Sequence, residues 1–228
     1  PPEDPPQEVV VTASRRDTLA RRFAGQWTRI DGNDLAVTGV VGTEAIGTRT
    51  VGFSSTHLGA GRNKLFVRGI ADSSFSGPTQ STVGQYLGDL RTGYSGPDPD
   101  LRLVDMNSVE ILEGPQGTLY GAGALGGIIL LKPNMPSAGR SGGEASAGAS
   151  LTQHGAPGHD LAATLNLAVA EGAALRLTGY RASEGGYVDN RRTGEEDINR
   201  LRVTGGRLIG TAALVPGWSA DLIATGQR

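Results

Sequence analysis

The sequence predicts an α+β globule followed by antiparallel β-hairpins, and three observations predict it. Ser108 to Pro133, SVEILEGPQGTLYGAGALGGIILLKP, reads as strand, glycine-rich turn, strand. Pro133 to Gly143, PNMPSAGRSGG, has the composition of a linker. Beyond it apolar and polar residues alternate with period two, the pattern of a strand with two unlike faces.

In the first stretch Val109, Ile111 and Leu112 lead into Gly114-Pro115, and the apolar run Ile128 to Leu131 closes at Lys132-Pro133. Between them lie Gly114, Gly117, Gly121, Gly123, Gly126 and Gly127. Each costs a helix about 1 kcal/mol against alanine. Glycines suit tight turns and close backbone packing instead. Gly121 to Gly126 also matches the G-x-G-x-x-G dinucleotide pattern. That fingerprint needs a strand directly before it, a helix opening within it and an acidic residue about 20 positions on. Here Pro115 to Tyr120 intervene and the following segment is β-like. Glu144 stands near the right distance, but in a Gly/Ser run that offers no strand to place it. The nucleotide reading is set aside.

Composition narrows the class. The 228 residues are enough for one or two domains, with a net charge of −2 and no cysteine. Nucleic-acid binding calls for a basic patch, which that balance does not supply. Disulfides and thiolate metal sites are excluded. Glycine, 36 of 228 residues, is about twice the usual ~7% and suits a β-rich chain full of turns. The sequence opens at PPEDPPQ, so a secretory signal is expected to lie outside it. No run of 18 apolar residues offers a membrane helix, but a membrane β-strand needs only ~9–11 alternating residues.

Taken in order, Pro1 to Gln7 is expected to be extended. Glu8, Val9, Val10, Val11, Thr12 and Ala13 follow as a strand that can add to a partner's sheet edge or form an edge of its own domain. Arg15, Arg16, Arg21 and Arg22 form a solvated basic cluster. Asp31 to Ala45 has the spacing of a short helix, capped by Asp34 with Leu35, Val37, Val40 and Val41 as its apolar set. Thr48 to Phe53 is a weak strand, and Ser54 to Asn63 is a polar loop whose His57 is read as exposed. Leu65 to Ile70 is a strand with Arg68 in its middle, which there needs a carboxylate. Tyr86 to Arg91 is another. The loops Ala71 to Gln80 and Thr92 to Pro99 display Phe75 and Tyr94. Leu101 to Asn107 is read as a short helix.

Past the linker, Leu161, Ala163, Leu165, Leu167 and Val169 alternate with smaller or polar residues up to a turn at Glu171-Gly172. Leu175 to Tyr180 returns from it. Arg200 to Val215 and Ser219 to Arg228 flank Pro216-Gly217-Trp218 as a second hairpin. Ser183 to Asn199 is a charged surface loop. Such hairpins fit either a soluble sandwich or a membrane barrel. About five strands fall well short of the roughly 22 of a plugged barrel.

The stretch VEILEGPQGTLYGAGALGGIILLKP, with LFVRGI at Leu65 to Ile70 and YLGDLR at Tyr86 to Arg91, resembles the plug domain of TonB-dependent outer-membrane receptors. The resemblance implies a small mixed β-sheet with short helices, then the first strands of a transmembrane β-barrel that the chain does not complete. It divides the chain into a flexible 1–14, a plug over 15–137 and barrel strands over 138–228. It implies that Glu8 to Ala13 are the TonB box, that Phe75 and Tyr94 face a small-molecule ligand such as a metal chelate, and that Arg68 belongs to a plug–barrel lock. The family often has a second arginine where this chain has Glu113, so Arg68 is expected to pair with Glu113 or Glu110, or Glu113 with a basic barrel residue. The implied setting is the outer membrane of a Gram-negative bacterium, with TonB and outer-membrane lipid as partners. The other reading is a surface signalling or adhesion receptor without transport.

Nothing indicates an enzyme or a cofactor. HExxH, the G-x-S-x-G elbow and the P-loop are missing, and His154, His159 and Asp160 make a weak case for metal.

Overall fold

The computed structural model describes residues 10–13, 15, 18–38, 41–59, 62–72, 80–94 and 97–228. They belong to two compact units, 1–133 and 134–228.

In the first unit, β1 (Val10–Val11) pairs with β2 (Thr18–Leu19). Then come β3 (Trp27–Asp31), the short helix α1 (Gly32–Thr38), β4 (Phe53–Ser55) and β5 (Leu65–Val67). After them come β6 (Val83–Leu87), β7 (Leu90–Arg91), β8 (Met106–Glu113), the single turn α2 (Gly117–Tyr120) and β9 (Gly127–Pro133). Five strands form a mixed sheet in the order β3-β8-β9-β6-β7, in which only β6 and β9 run parallel. The two sequence strands around the glycine turn are its centre, β8 against β9, and their β-branched and leucine side chains fill both faces. Val109, Ile111, Ile129 and Leu131 pack with Ile30, Leu35, Ile46 and Phe53 on one face. Leu112, Ile128 and Leu130 pack with Ala13, Tyr86 and Ala124 on the other.

One glycine of the G-x-G-x-x-G match and the glycine just after it show what the stretch is for. Gly123 has φ +83°, and a Cβ there would strike the Arg91 guanidinium and come 2.7 Å from the Ser81 carbonyl. Gly127, next after the match, has φ +150°, and a Cβ there would strike the Leu112 carbonyl. The glycines let chain segments touch; α2 is one turn and precedes the match rather than opening from it.

Several expectations are corrected. Leu101 to Asn107 is not a helix: Thr43 N–H donates to Leu101 O and Leu103 N–H to Val41 O, so the segment spends its backbone groups crosswise on 41–43. The helix expected over Asp31 to Ala45 ends at Thr38, and a 3₁₀ turn occupies Glu44–Thr48. The strand expected at Thr48 to Phe53 lies instead at Phe53–Ser55, paired with β5. Leu65 to Ile70 stops being a strand at Val67. Arg68 (φ +55°) and Gly69 (φ +74°) reverse the chain so that Ile70 bonds back to Val67.

The second unit is an antiparallel meander, β10 (Gly142–Leu151), β11 (Pro157–Ala170), β12 (Ala173–Glu184), β13 (Leu201–Val215) and β14 (Trp218–Gln227), paired in sequence order as an open sheet. Strand β10 carries almost no apolar bulk, so Glu144 does have a strand to place it, opposite Thr164. Cross-strand partners share a face. One face shows Leu161, Leu165, Leu175, Leu177 and Leu222 to the outside. The other buries Thr164, Asn166, Thr178 and Arg207. Asn166 there holds the linker: Nδ2 donates to Ser137 O (2.8 Å) and Arg140 O (2.7 Å), and Oδ1 accepts from Ser137 N–H (2.9 Å).

Candidate functional site

The site is built on Glu110, in the middle of β8. Its cross-strand neighbours are Arg29 on β3 and Leu130 on β9. Its side chain is 0% exposed, yet it is a carboxylate, and a buried charge must be met by donors. The donors come from the N-terminal segment. Thr12 N–H (3.2 Å) and Ala13 N–H (2.8 Å) donate to Oε2, and the Thr12 hydroxyl donates to Oε1 (2.8 Å). Arg29 Nη1 (3.4 Å) and Lys132 Nζ (3.5 Å) approach Oε1, and Lys132 also donates to the Thr12 hydroxyl. One carboxylate thus satisfies the first N–H groups after β1 while two cations balance its charge.

Aromatic side chains close the same site. The Tyr120 hydroxyl donates to Ala13 O (2.6 Å), and the Tyr86 hydroxyl donates to Tyr120 O (3.0 Å). The two rings meet edge to face at 4.9 Å, with Arg15 5.0 Å above Tyr120. Burial pushes the Tyr120 phenol up, with Arg15 acting against it, so the phenol stays a donor at neutral pH. Val11 and Ala13 are fully buried. Of the expected TonB box, Glu8 and Val9 lie outside the described residues, whereas Val10 and Val11 form β1 and Thr12 and Ala13 are the clasped residues.

A second charged group is Lys64. Its Nζ lies 2.6 Å from Asp72 Oδ1, an ion pair without hydrogen-bond alignment, and 3.9 Å from Asp98 Oδ2. All three side chains are nearly fully buried. Asp98 also accepts from Leu65 N–H (2.8 Å), and burial raises its carboxyl above the usual range while that bond and Lys64 pull it down. Asp72 and Asp98 belong to the sequence stretches Ala71 to Gln80 and Thr92 to Pro99, which also contain Phe75 and Tyr94. Phe75 itself lies outside the described residues. Tyr94 is 67% exposed, with the Arg91 guanidinium 5.0 Å over its ring. Arg91 is fixed there by bonds to Gly93 O and Ala122 O.

The expected pairing of Arg68 within its own unit is corrected. Its left-handed backbone lifts it out of the strand, its side chain is exposed, and among the described residues it makes no ion pair with Glu110 or Glu113. Glu110 takes Arg29 and Lys132 instead. Glu113 is buried, and its Oε1 has no hydrogen-bond partner among the described residues. Sequence reasoning missed Arg29, Lys64, Tyr120 and Lys132. Lys132 closing the run IILLKP was the one visible signal, a cation at the end of a buried strand.

Known proteins place this arrangement. Residues 20–128 match the family model described as TonB-dependent Receptor Plug Domain. The pesticin receptor of Yersinia pestis is 31% identical over 136 residues, 56% of this chain and 19% of that receptor. The pesticin receptor of Yersinia enterocolitica is 59% identical over 34 residues, 15% of this chain and 5% of its own length. Among solved structures, the ferric yersiniabactin uptake receptor FyuA of Yersinia pestis has TM-score 0.71 at 23% identity, covering 83% of this chain and 29% of that one. The pyoverdine outer membrane receptor FpvA of Pseudomonas aeruginosa has TM-score 0.75 at 16% identity, covering 96% and 30%. The chain spans less than a third of these relatives' lengths. The mixed sheet with its glycine turn and the antiparallel meander share the fold of these solved receptors, and residues 20–128 match the plug domain of TonB-dependent receptors.

Proposed function

We propose that the chain supplies the plug and first barrel strands of a receptor that takes up an iron–siderophore-type complex across the outer membrane, energised through TonB. The observation that carries this reading is the Glu110 clasp on Thr12 and Ala13. Val10 and Val11 form a short strand outside the central sheet, and Thr12 and Ala13 after it are docked by a few replaceable bonds. Such a strand can exchange its docked place for a partner's sheet edge, because main-chain hydrogen bonds supply the affinity in strand addition. Ligand that favours the undocked form shifts the population toward it. Tyr94, and Phe75 by its place in the sequence, supply ring faces for a flat or conjugated chelate. The ligand class rests on the similar receptors, one for ferric yersiniabactin uptake and one for pyoverdine.

The test removes Glu8 to Ala13 from the full-length receptor and follows a radiolabelled ferric siderophore on whole cells. Surface binding is expected to persist and uptake to be lost. Uptake that survives the deletion rules out the coupling role.

A further inference from the structure

Charge on the meander is sorted by face and by end. Leu161 stands opposite Arg181, and Ser183 stands opposite both His159 and Arg202, so these side chains share the outward face. Arg228 joins them through its backbone bonds with Thr204, the residue opposite Arg181. Asp160 and Glu184, at the same end, have the opposite parity and face inward with Ala182. Among the described residues no carboxylate lies on the outward face of β10 to β14. Arg181, Arg202 and Arg228 are all exposed, and no ion pair reaches them among the described residues. The rest of that face is aliphatic or glycine, down to the turns, where Trp218 is 72% exposed.

The two ends of the apolar face therefore differ: an aromatic ring at the short turns, guanidinium groups at the end that leads into residues 185–200. Arg181 lies roughly 26 Å along β12 from Ala173, at ~3.3 Å per residue. A tilt of about 40° brings that to roughly 20 Å, near the far edge of a ~25 Å apolar band. A guanidinium that faces hydrocarbon is costly, and one that sits at headgroup level against an anion is not. Arginine's planar fork also binds phosphate in bidentate fashion.

We propose that this basic rim binds the phosphate groups of a lipopolysaccharide in the leaflet on the long-loop side. Adjacent strands are ~4.8 Å apart, so the row from His159 on β11 to Arg228 past β14 spans roughly 14 Å. That width fits a headgroup with two separated phosphates on a disaccharide, and exceeds the single phosphate of a glycerophospholipid. The proposal rests on the sheet being part of an outer-membrane barrel wall.

The test uses the full-length receptor in detergent, titrated with lipid A, dephosphorylated lipid A and phosphatidylglycerol. Lipid A is expected to bind roughly tenfold tighter than either of the others. The paired variant Arg181→Gln/Arg202→Gln is expected to lose that preference, and Arg181→Lys/Arg202→Lys to keep most of it. A Gln pair that binds lipid A as the parent does, or phosphatidylglycerol bound equally well by the parent, overturns the proposal. Heat-modifiable gel migration separates the two levels. A receptor that folds as a barrel yet shows no preference sinks the rim alone, and one that never folds as a barrel sinks the family reading with it.

Discussion

The two units handle charge in opposite ways. The first unit buries Glu110, Lys64 and Asp98 and surrounds each with partners from other segments. The meander of the second clears one whole face of charge except at its rim and puts its polar groups, Thr164, Asn166, Thr178 and Arg207, on the other. The first is a water-excluding interior whose specificity comes from paired ions. The second separates an apolar surrounding from a polar one with a single layer of strand, which period-two alternation achieves without any long-range pairing.

The comparison breaks most visibly at Lys64. Replacing it as Lys64→Met leaves Asp72 and Asp98 buried without their cation and is expected to cost about 3–5 kcal/mol. Thermal unfolding of the receptor, with hydrogen exchange at residues 62–72, measures it; an unchanged midpoint would mean the group is not an ion cluster.

On the meander, Leu177→Arg is expected to cost about 2–4 kcal/mol of folding into lipid vesicles. Its neighbour Thr178→Arg, on the polar face, should cost far less. Equal costs would deny that the faces see different solvents.

Glu110→Gln keeps the shape of the clasp but weakens its bonds, each worth about 1.5–3 kcal/mol to a charged acceptor. Faster amide exchange at Thr12 and Ala13, with β9 unaffected, is the expected result. Exchange unchanged at both would place the hold on this segment elsewhere, in Tyr120 or the β1–β2 pair.

The smallest effect is a pH slope. Burial raises the Asp98 carboxyl above its ordinary 3.8, so the folded state binds that proton more tightly than the unfolded one. Its stabilising contribution is then complete below that ordinary value and is lost as pH rises through the raised one. Asp98→Asn should flatten stability against pH over that window, where each tenfold difference in proton affinity is worth about 1.4 kcal/mol. Melting curves of both proteins across the acid range decide it, and parallel slopes would assign the titration to another group.

The sequence by itself determined what is local. Alternation from Leu161 onward, the turn at Glu171-Gly172 and the strand–glycine–strand centre depend on neighbours a few residues apart, and each stands where it was read. Tertiary structure decided the rest. Arg68 left its strand because Gly52 O takes its N–H while the chain turns back through Gly69. Leu101 to Asn107 stayed extended because its hydrogen-bond partners lie near Val41. The Glu110 clasp joins residues 98 positions apart. No local pattern records such a meeting, since a carboxylate in a strand looks alike whether it faces water or the chain's own beginning; only the folded sheet says which donors reach it.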